Sequence, residues 1–472
     1  MERITTDLCV IGAGSGGLSV AAGAVQMGAR VVLVEGGEMG GDCLNAGCIP
    51  SKALLAAAKA AQAMRSGAGF GITPVEPQID FAAVKDHVAR TIATIAPADS
   101  QERFEGLGVR VIRAWGAFSG PATLLAGDCE ITARRFVIAT GSRPLIPPIA
   151  GLETTPYLTN ETIFALRSRP AHLIIIGGGP IGIEMAQAHR RLGCAVTILE
   201  GGRALGRDDP EAAAVVLQAL RAEGVEIHED TLVSAVSGQA GAITVTLKDG
   251  SAVAGSHLLV AAGRQVALDS LDLAAAGVAF TRKGVTVDAA LRSSNRRIYA
   301  VGDAAGGLQF THVAGYHAGI VVRQAVLSLP ARATTRHIPR VTYTDPELAQ
   351  VGLTEAEART RHGAALVFAR ADLAHNDRAQ TERKTQGFVK VMIVRGRPVG
   401  VTIVGPQAGE LIGLWALVLS ARLKMSAAAG MVAPYPTLGE ISKRSASAYF
   451  SPKLFDNPVV KWVVRLIQRL LP

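Results

Sequence analysis

Two stretches of this 472-residue chain repeat one pattern. DLCVIGAGSGG sets an apolar run before Gly12-x-Gly14-x-x-Gly17, and LIIIGGGPIG sets another before Gly177-x-Gly179-x-x-Gly182. A helical stretch and a second apolar run follow each, VVLVE ending at Glu35 and VTILE ending at Glu200. The interval from first glycine to acid is 23 positions in both copies. A lone glycine triplet is weak evidence. Strand, triplet, helix and terminal acid together form the dinucleotide-binding fingerprint. The glycines permit a tight turn and let backbone N–H groups approach a pyrophosphate, whose charge the helix N-terminus favours. The acid accepts hydrogen bonds from an adenosine ribose. The alternative is a pair of tight turns of no function. Two fingerprints predict an α/β chain with two Rossmann-type domains and two dinucleotides, most simply a flavin and a nicotinamide. A carboxylate at Glu200 suits a free ribose 2′-OH and repels a 2′-phosphate, favouring NADH over NADPH. Arg203, close in sequence, softens that preference.

The length allows three domains at about 100–200 residues each. With 49% hydrophobic and 18% charged residues, a large core is possible. No run of about 18 uninterrupted apolar residues occurs, so no membrane span is expected. MERITTDLCVIG enters a strand-like run at once, without a basic region followed by a separate apolar one, so a cytoplasmic location is expected. The net charge of +9 is scattered, and its densest patches, Arg296–Arg297 and Lys443–Arg444, are short. A solvated basic surface, attractive to anionic cofactors, fits better than a nucleic-acid site. Five cysteines in a long chain argue against a secreted disulfide framework.

Residues 40–52 read GGDCLNAGCIPSK. Cys43 and Cys48 are spaced for a local disulfide. Pro50 suits a first helical turn and ALLAAAKAAQAM continues the helix. Cys48 therefore sits near a helix N-terminus, where the dipole favours a thiolate. A thiolate beside a flavin makes a two-electron relay. Half a zinc site would need further Cys or His ligands, and no metal site is expected. Buried packing cysteines would sit poorly among these glycines.

GGDCLNAGCIPSK resembles the redox-active motif of the class I pyridine nucleotide–disulfide oxidoreductases. That family includes dihydrolipoamide dehydrogenase, glutathione reductase and mercuric reductase. FVIATGSRP (136–144) is similar to the family segment where the chain leaves the FAD domain. RRIYAVGDAA (296–305) resembles the second FAD motif, and VTYTDPELAQVGLTEAEA (341–358) the start of the dimerisation domain. The resemblance implies a homodimer with FAD in residues 1–148 and 266–337, a nicotinamide cofactor in 149–265, and an α+β interface domain in 338–472. It implies that Cys48 is the thiolate next to the flavin and Cys43 the interchange thiol. Lys52 is expected near the flavin N5, paired with Glu184. A buried lysine needs a counter-charge, although Lys52 could also be a solvated helix residue. Thr140, Gly141, Gly302 and Asp303 are expected to hold FAD, with Asp303 on the ribityl chain, and Gly263 to join the nicotinamide site. Cys9, Cys129 and Cys194 read as packing residues. His312 and His317, five apart, are not spaced as i, i+4 metal ligands and read as structural, with His312 able to approach the flavin.

The interface segment departs from part of the family. Residues 431–440 read MVAPYPTLGE. In dihydrolipoamide dehydrogenase and glutathione reductase a His-Pro-Thr segment stands in this place, with a glutamate following, and its histidine moves protons between thiols in the partner's site. Tyr435 holds that position, followed by Pro436, Thr437 and Glu440. Mercuric reductases also carry a tyrosine, but their C-terminal cysteine pair is not matched by RLIQRLLP, nor is an N-terminal cysteine-bearing metal-binding module seen. Tyr435 is either a catalytic-site group or an interface packing ring. The function expected is an NADH oxidoreductase passing electrons through FAD and Cys43–Cys48 to a disulfide, a thiol-reactive metal ion or another electrophile. The rivals are a dihydrolipoamide dehydrogenase and a redox-sensing flavoprotein without steady turnover. Near the end of the sequence, Lys461, Arg465 and Arg469 recur every four residues with Gln468 among them, while Val, Trp, Leu and Ile fill the rest. A basic amphipathic helix over 459–471 is expected, packed on the dimer or lying on an anionic membrane surface.

Overall fold

The computed structural model describes residues 1–471. Its backbone falls into two compact units: residues 1–64, 76–201 and 230–334, and residues 65–75, 202–229 and 335–472.

The first unit contains both glycine fingerprints. Strand Glu2–Ile11 lies parallel between Val31–Val34 and Cys129–Ile138, with Cys9 opposite both Val32 and Phe136. Ile298–Ala300 adds a parallel strand beside Phe136–Ile138, and Arg110–Ile112 adds another beside Val32–Val34. Leu8–Ile11 and Val31–Val34 are buried throughout. Such unbroken apolar runs belong to parallel strands covered on both faces. Helix Ser15–Gln26 starts at the first triplet, with Gly14 as its N-cap. Its counterpart is strand His172–Ile176, helix Pro180–Arg191 and strand Ala195–Leu199, with His257–Val260 on the other side. A separate antiparallel sheet of Val233–Gln239, Ala242–Leu247 and Ala252–Gly255 follows.

The second unit is built on five antiparallel strands, ordered Pro339–Thr342, Glu347–Gly352, Arg397–Gly405, Phe388–Val394 and Leu366–Asp372. Helices Ala408–Ser420 and Glu440–Phe455 contribute Trp415 and Ile441 to its core. Trp415 is fully buried, and its indole N–H donates to Ser442 Oγ at 3.2 Å. Helix Pro210–Ala222 also belongs to this unit. Lys390 ties it down. Its Nζ lies 2.9 Å from Asp209, 3.1 Å from Glu211 and 2.8 Å from Glu355. Burial alone would pull the Lys390 pKa down, and the three carboxylates reverse that, leaving it raised. Asp209 is 1% exposed, so Lys390→Met strands a buried charge. The expected loss is about 3 kcal/mol of unfolding free energy, read by urea denaturation of the intact protein. A loss under about 0.5 kcal/mol would place the cluster among weak surface pairs.

Candidate active site

The two fingerprints share one backbone solution. Gly12 and Gly177 have φ of +105° and +114°, a region that favours glycine. A Cβ at Gly12 would meet Ala139 O at 2.4 Å, and one at Gly177 would meet Ala261 O at 2.4 Å. At the third positions, Gly17 and Gly182, a Cβ would stand 1.8 and 2.0 Å from the carbonyl oxygens of Gly12 and Gly177. The middle glycines differ. A Cβ on Gly179 would meet no protein atom within 4 Å, and one on Gly14 only Gly41 Cα at 4.0 Å. Packing within the chain therefore explains the outer glycines but not the middle ones, which leave open room at a helix N-terminus. A pyrophosphate fits that room.

The terminal acids also organise the loops. Glu35 accepts from Ala13 N at 2.5 Å and Gly37 N at 2.6 Å. Glu200 accepts from Gly178 N at 2.6 Å. Each carboxylate thus stands next to its own glycine turn. Thr140 adds a sign of a missing partner: its hydroxyl is buried and makes no hydrogen bond among the described residues. Gly141 beside it has φ +67° and open space at its Cβ position. The chain segments expected to hold FAD therefore carry a buried hydroxyl without a protein partner and glycine turns with room for a ligand. Gly263 has φ +120°, with only Leu145 Cδ2 at 3.9 Å from its Cβ position.

The dithiol segment docks against the first fingerprint. Gly40 and Gly41 both have positive φ, and Gly40 N donates to Ala13 O at 2.9 Å. A Cβ on Gly41 would stand 2.8 Å from Gly14 Cα. Short helix Gly41–Asn45 carries Cys43, and helix Cys48–Arg65 begins at Cys48. Each thiol bears on the other's protonation. Thr311 Oγ1 lies 3.2 Å from Cys48 Sγ. The neighbouring Cys43 thiol, Thr311 and the Lys52 charge pull the Cys48 thiol down to about 6, against burial and Asp42. Cys43 is pushed the other way, by the neighbouring Cys48 and by burial. The surroundings thus favour a thiolate at Cys48 over one at Cys43.

Lys52 lies one turn along the same helix and donates to Glu184 Oε2 at 2.8 Å. Glu184 is 5% exposed, while the Lys52 side chain is 38% exposed. Glu184 comes from the helix opened by the second fingerprint. The contact joins residues 132 positions apart.

Several contributors carried no sequence signal. Asp42 accepts from Asn160 Nδ2 at 2.9 Å and pairs with Arg264 at 3.2 Å. Arg264 Nε donates to Ser142 Oγ at 2.7 Å, and Ser142 donates to Asp303 Oδ2 at 2.5 Å. This chain of contacts connects the dithiol loop to Asp303. Burial raises the Asp303 pKa, with Ser142 and Arg264 opposing. Gly302, at φ +60°, donates its N–H to Nδ1 of buried His317 at 3.2 Å. His312 stacks on Phe310 at 5.3 Å between ring centroids. Among the described residues no cluster of three or more His, Cys, Asp or Glu could hold a metal ion.

Tyr435 and Glu440 lie in the second unit. Tyr435 is 71% exposed and follows the stiff Pro434; its bond to Pro436 is cis. Its hydroxyl donates to Asp377 Oδ2 at 3.1 Å, not to Glu440. That hydrogen bond and the Asp377 charge raise the phenol pKa above its ordinary value. Glu440 instead accepts from Arg444 Nε at 3.2 Å, and Arg444 also lies 3.7 Å from Asp377. Tyr435, Glu440, Lys443 and Arg444 line a cleft of about 490 Å³.

Comparison with known proteins agrees with this architecture. The family model for pyridine nucleotide-disulphide oxidoreductases matches residues 6–318, and the model for their dimerisation domain matches 338–446. A mercuric reductase of Streptomyces lividans is 35% identical over 457 residues, covering 94% of this chain and 96% of that protein. A dihydrolipoyl dehydrogenase of Bacillus subtilis (strain 168) is 32% identical over 445 residues, covering 92% and 96%. Among solved structures, the Cu(II) complex of the HOCl-induced flavoprotein disulfide reductase RclA from Escherichia coli matches with a TM-score of 0.84 at 29% identity, covering 93% of this chain and 99% of that one. The family is FAD-dependent and uses NAD(P)H. With two fingerprints, a dithiol segment and a matched dimerisation domain, this chain belongs to the pyridine nucleotide-disulphide oxidoreductase family.

Proposed function

We propose that this protein is a homodimeric NADH-dependent flavoprotein reductase whose Cys43–Cys48 pair passes electrons to a small oxidant. The reading rests on one observation above the others: Cys48 opens a helix, with Thr311 Oγ1 at 3.2 Å from its sulfur and the Lys52–Glu184 pair one turn on, surroundings that favour its thiolate. FAD, held by residues 1–148 and 266–337, supplies two-electron transfer between nicotinamide and disulfide. Residues 149–265 hold NADH, with Glu200 at the ribose. Residues 338–472 make up the interface domain, which brings Tyr435 and Glu440 to the partner's dithiol.

The electron count closes with a thiolate at Cys48 and a thiol at Cys43. NADH gives up a hydride and becomes NAD⁺. The Cys43–Cys48 disulfide bond breaks and takes the two electrons. The single proton of the hydride ends on Cys43, leaving Cys48 as thiolate. Lys52 stands where its charge stabilises that thiolate, and Glu184 holds Lys52 in place. Thr311 keeps a hydroxyl on the Cys48 sulfur. The dithiol then gives both electrons to the acceptor and closes its S–S bond again.

Tyr435 shapes the choice of acceptor. A phenol with a raised pKa is a poor proton acceptor at neutral pH but a good hydrogen-bond donor. A metal ion or soft electrophile needs no proton returned to a departing thiolate, whereas a disulfide does. We therefore assign a thiol-reactive metal ion or electrophile ahead of a disulfide, and ahead of dihydrolipoamide oxidation. The test is nucleotide oxidation by the FAD-loaded protein across Hg(II), disulfides, quinones and small oxidants, with NADH and NADPH side by side. Turnover with Hg(II) or an electrophile, faster with NADH and lost in Cys43→Ser, is expected. Rapid turnover of dihydrolipoamide with NAD⁺ would overturn the assignment in favour of a dihydrolipoamide dehydrogenase. Reduction by NADH without turnover of any acceptor would point to a sensor.

A further inference from the structure

Helix Pro458–Leu470 lies beyond the residues matched to the family's dimerisation domain. None of its residues is buried. Val459, Trp462, Val463, Val464, Leu466, Ile467 and Leu470 are all exposed. An aliphatic and aromatic face of this kind left in water is costly, and it marks a contact surface. We propose that this helix is a membrane-surface anchor that lays its apolar face into a bilayer carrying anionic headgroups.

The arrangement of residues selects that occupant. At 100° per residue, Trp462 through Val464 bound an apolar arc of about 200°. That is wider than the narrow seam by which two helices zip together. It is the width of a helix half sunk at an interface. The remaining arc carries Lys461, Arg465, Gln468 and Arg469, and the helix has no aspartate or glutamate. A face of three cations complements anionic headgroups. Trp462 borders Arg469 at the edge of the apolar arc, where an indole reaches both hydrocarbon and polar headgroups.

Length excludes crossing. Thirteen residues rise about 20 Å, short of a hydrocarbon core of about 30 Å. Among the described residues no helix is long and apolar enough to cross a membrane. The entry into this helix is well formed. Asn457 caps it by accepting from Val459 N and Val460 N at 2.9 and 3.4 Å, and Pro458 occupies its first turn. The start of the helix is therefore specified by its own residues.

The experiment is flotation of the full FAD-loaded chain with phosphatidylcholine vesicles, with and without phosphatidylglycerol. Flotation with the phosphatidylglycerol vesicles is expected, weakening as salt is raised. Replacing Lys461, Arg465 and Arg469 together with Gln should lower the partition coefficient on the order of 10²-fold. The double variant Val463→Glu, Leu470→Glu should lose flotation, as should a chain ending at Asn457. These variants should keep the gel-filtration size and FAD content of the parent. The proposal is overturned if the intact chain never floats, if the shortened chain floats equally well, or if neutral vesicles carry it equally well. It is also overturned if the shortened chain changes from dimer to monomer without vesicles, because the helix would then be a subunit contact.

Discussion

Cys48→Ser is expected to reduce NADH-dependent turnover of a dithiol-dependent acceptor on the order of 10³-fold or more. A serine hydroxyl can neither form the S–S bond nor ionise near neutral pH. The fold should survive, because the change is nearly isosteric and the Thr311 contact at 3.2 Å remains available to a hydroxyl. FAD content is the control. The same residue predicts a pH profile in the reduced protein. Its thiol is pulled down to about 6, so alkylation of Cys48 by iodoacetamide should be slow below that pH. The rate should rise through it and level off above it, because only the thiolate reacts. Lys52 lowers that value, so Lys52→Met should move the inflection upward. An inflection near the ordinary value of about 8.5 with Lys52 intact would remove the case for a resident thiolate.

Tyr435→His is expected to raise turnover of a disulfide, or of dihydrolipoamide with NAD⁺, toward the gain of about 10²–10⁴-fold that a positioned base supplies. An imidazole exchanges protons near neutral pH. The phenol does not, and Asp377 keeps its proton on still more firmly by accepting it at 3.1 Å. The gain should show in kcat rather than KM, with a pH dependence near the imidazole pKa. Asp377→Asn separates this from packing. It removes the charge that raises the phenol pKa, so the phenol should titrate lower without a change in dimer size. If Tyr435→His leaves disulfide turnover unchanged, proton exchange at this position does not limit the reaction and the acceptor argument fails.

Much of the molecule was legible because its signals are local. A glycine triplet, an apolar run of four or five residues and an acid 23 positions on describe one supersecondary unit whose geometry depends little on distant chain. The positive φ at Gly12 and Gly177 and the carbonyl contacts behind them are consequences of that unit. The Cys43–Cys48 segment was legible for the same reason: a helix N-terminus and its thiol are neighbours in sequence.

What stayed hidden are partners brought together across long intervals. Thr311 approaches Cys48 across 263 residues, and Arg264 reaches Ser142 across 122. Nothing in the composition around Asp42 or Asn160 announces their hydrogen bond. Tyr435 illustrates the limit most clearly. Its identity, its prolines and Glu440 could be read from the sequence. Its hydroxyl partner could not, because Asp377 lies 58 residues away and Glu440 is taken by Arg444 four residues along its own helix.

The sequence by itself determined the class of chemistry: two dinucleotide cradles, a dithiol at a helix N-terminus, and a tyrosine in the interface segment. Short-range backbone sterics and side-chain identity are enough for that. Only the tertiary structure decided which distant groups surround the Cys48 sulfur and what holds the tyrosine's proton. Those outcomes are set by hydrogen bonds, burial and nearby charge, and such interactions act through space between residues that the chain order does not place together.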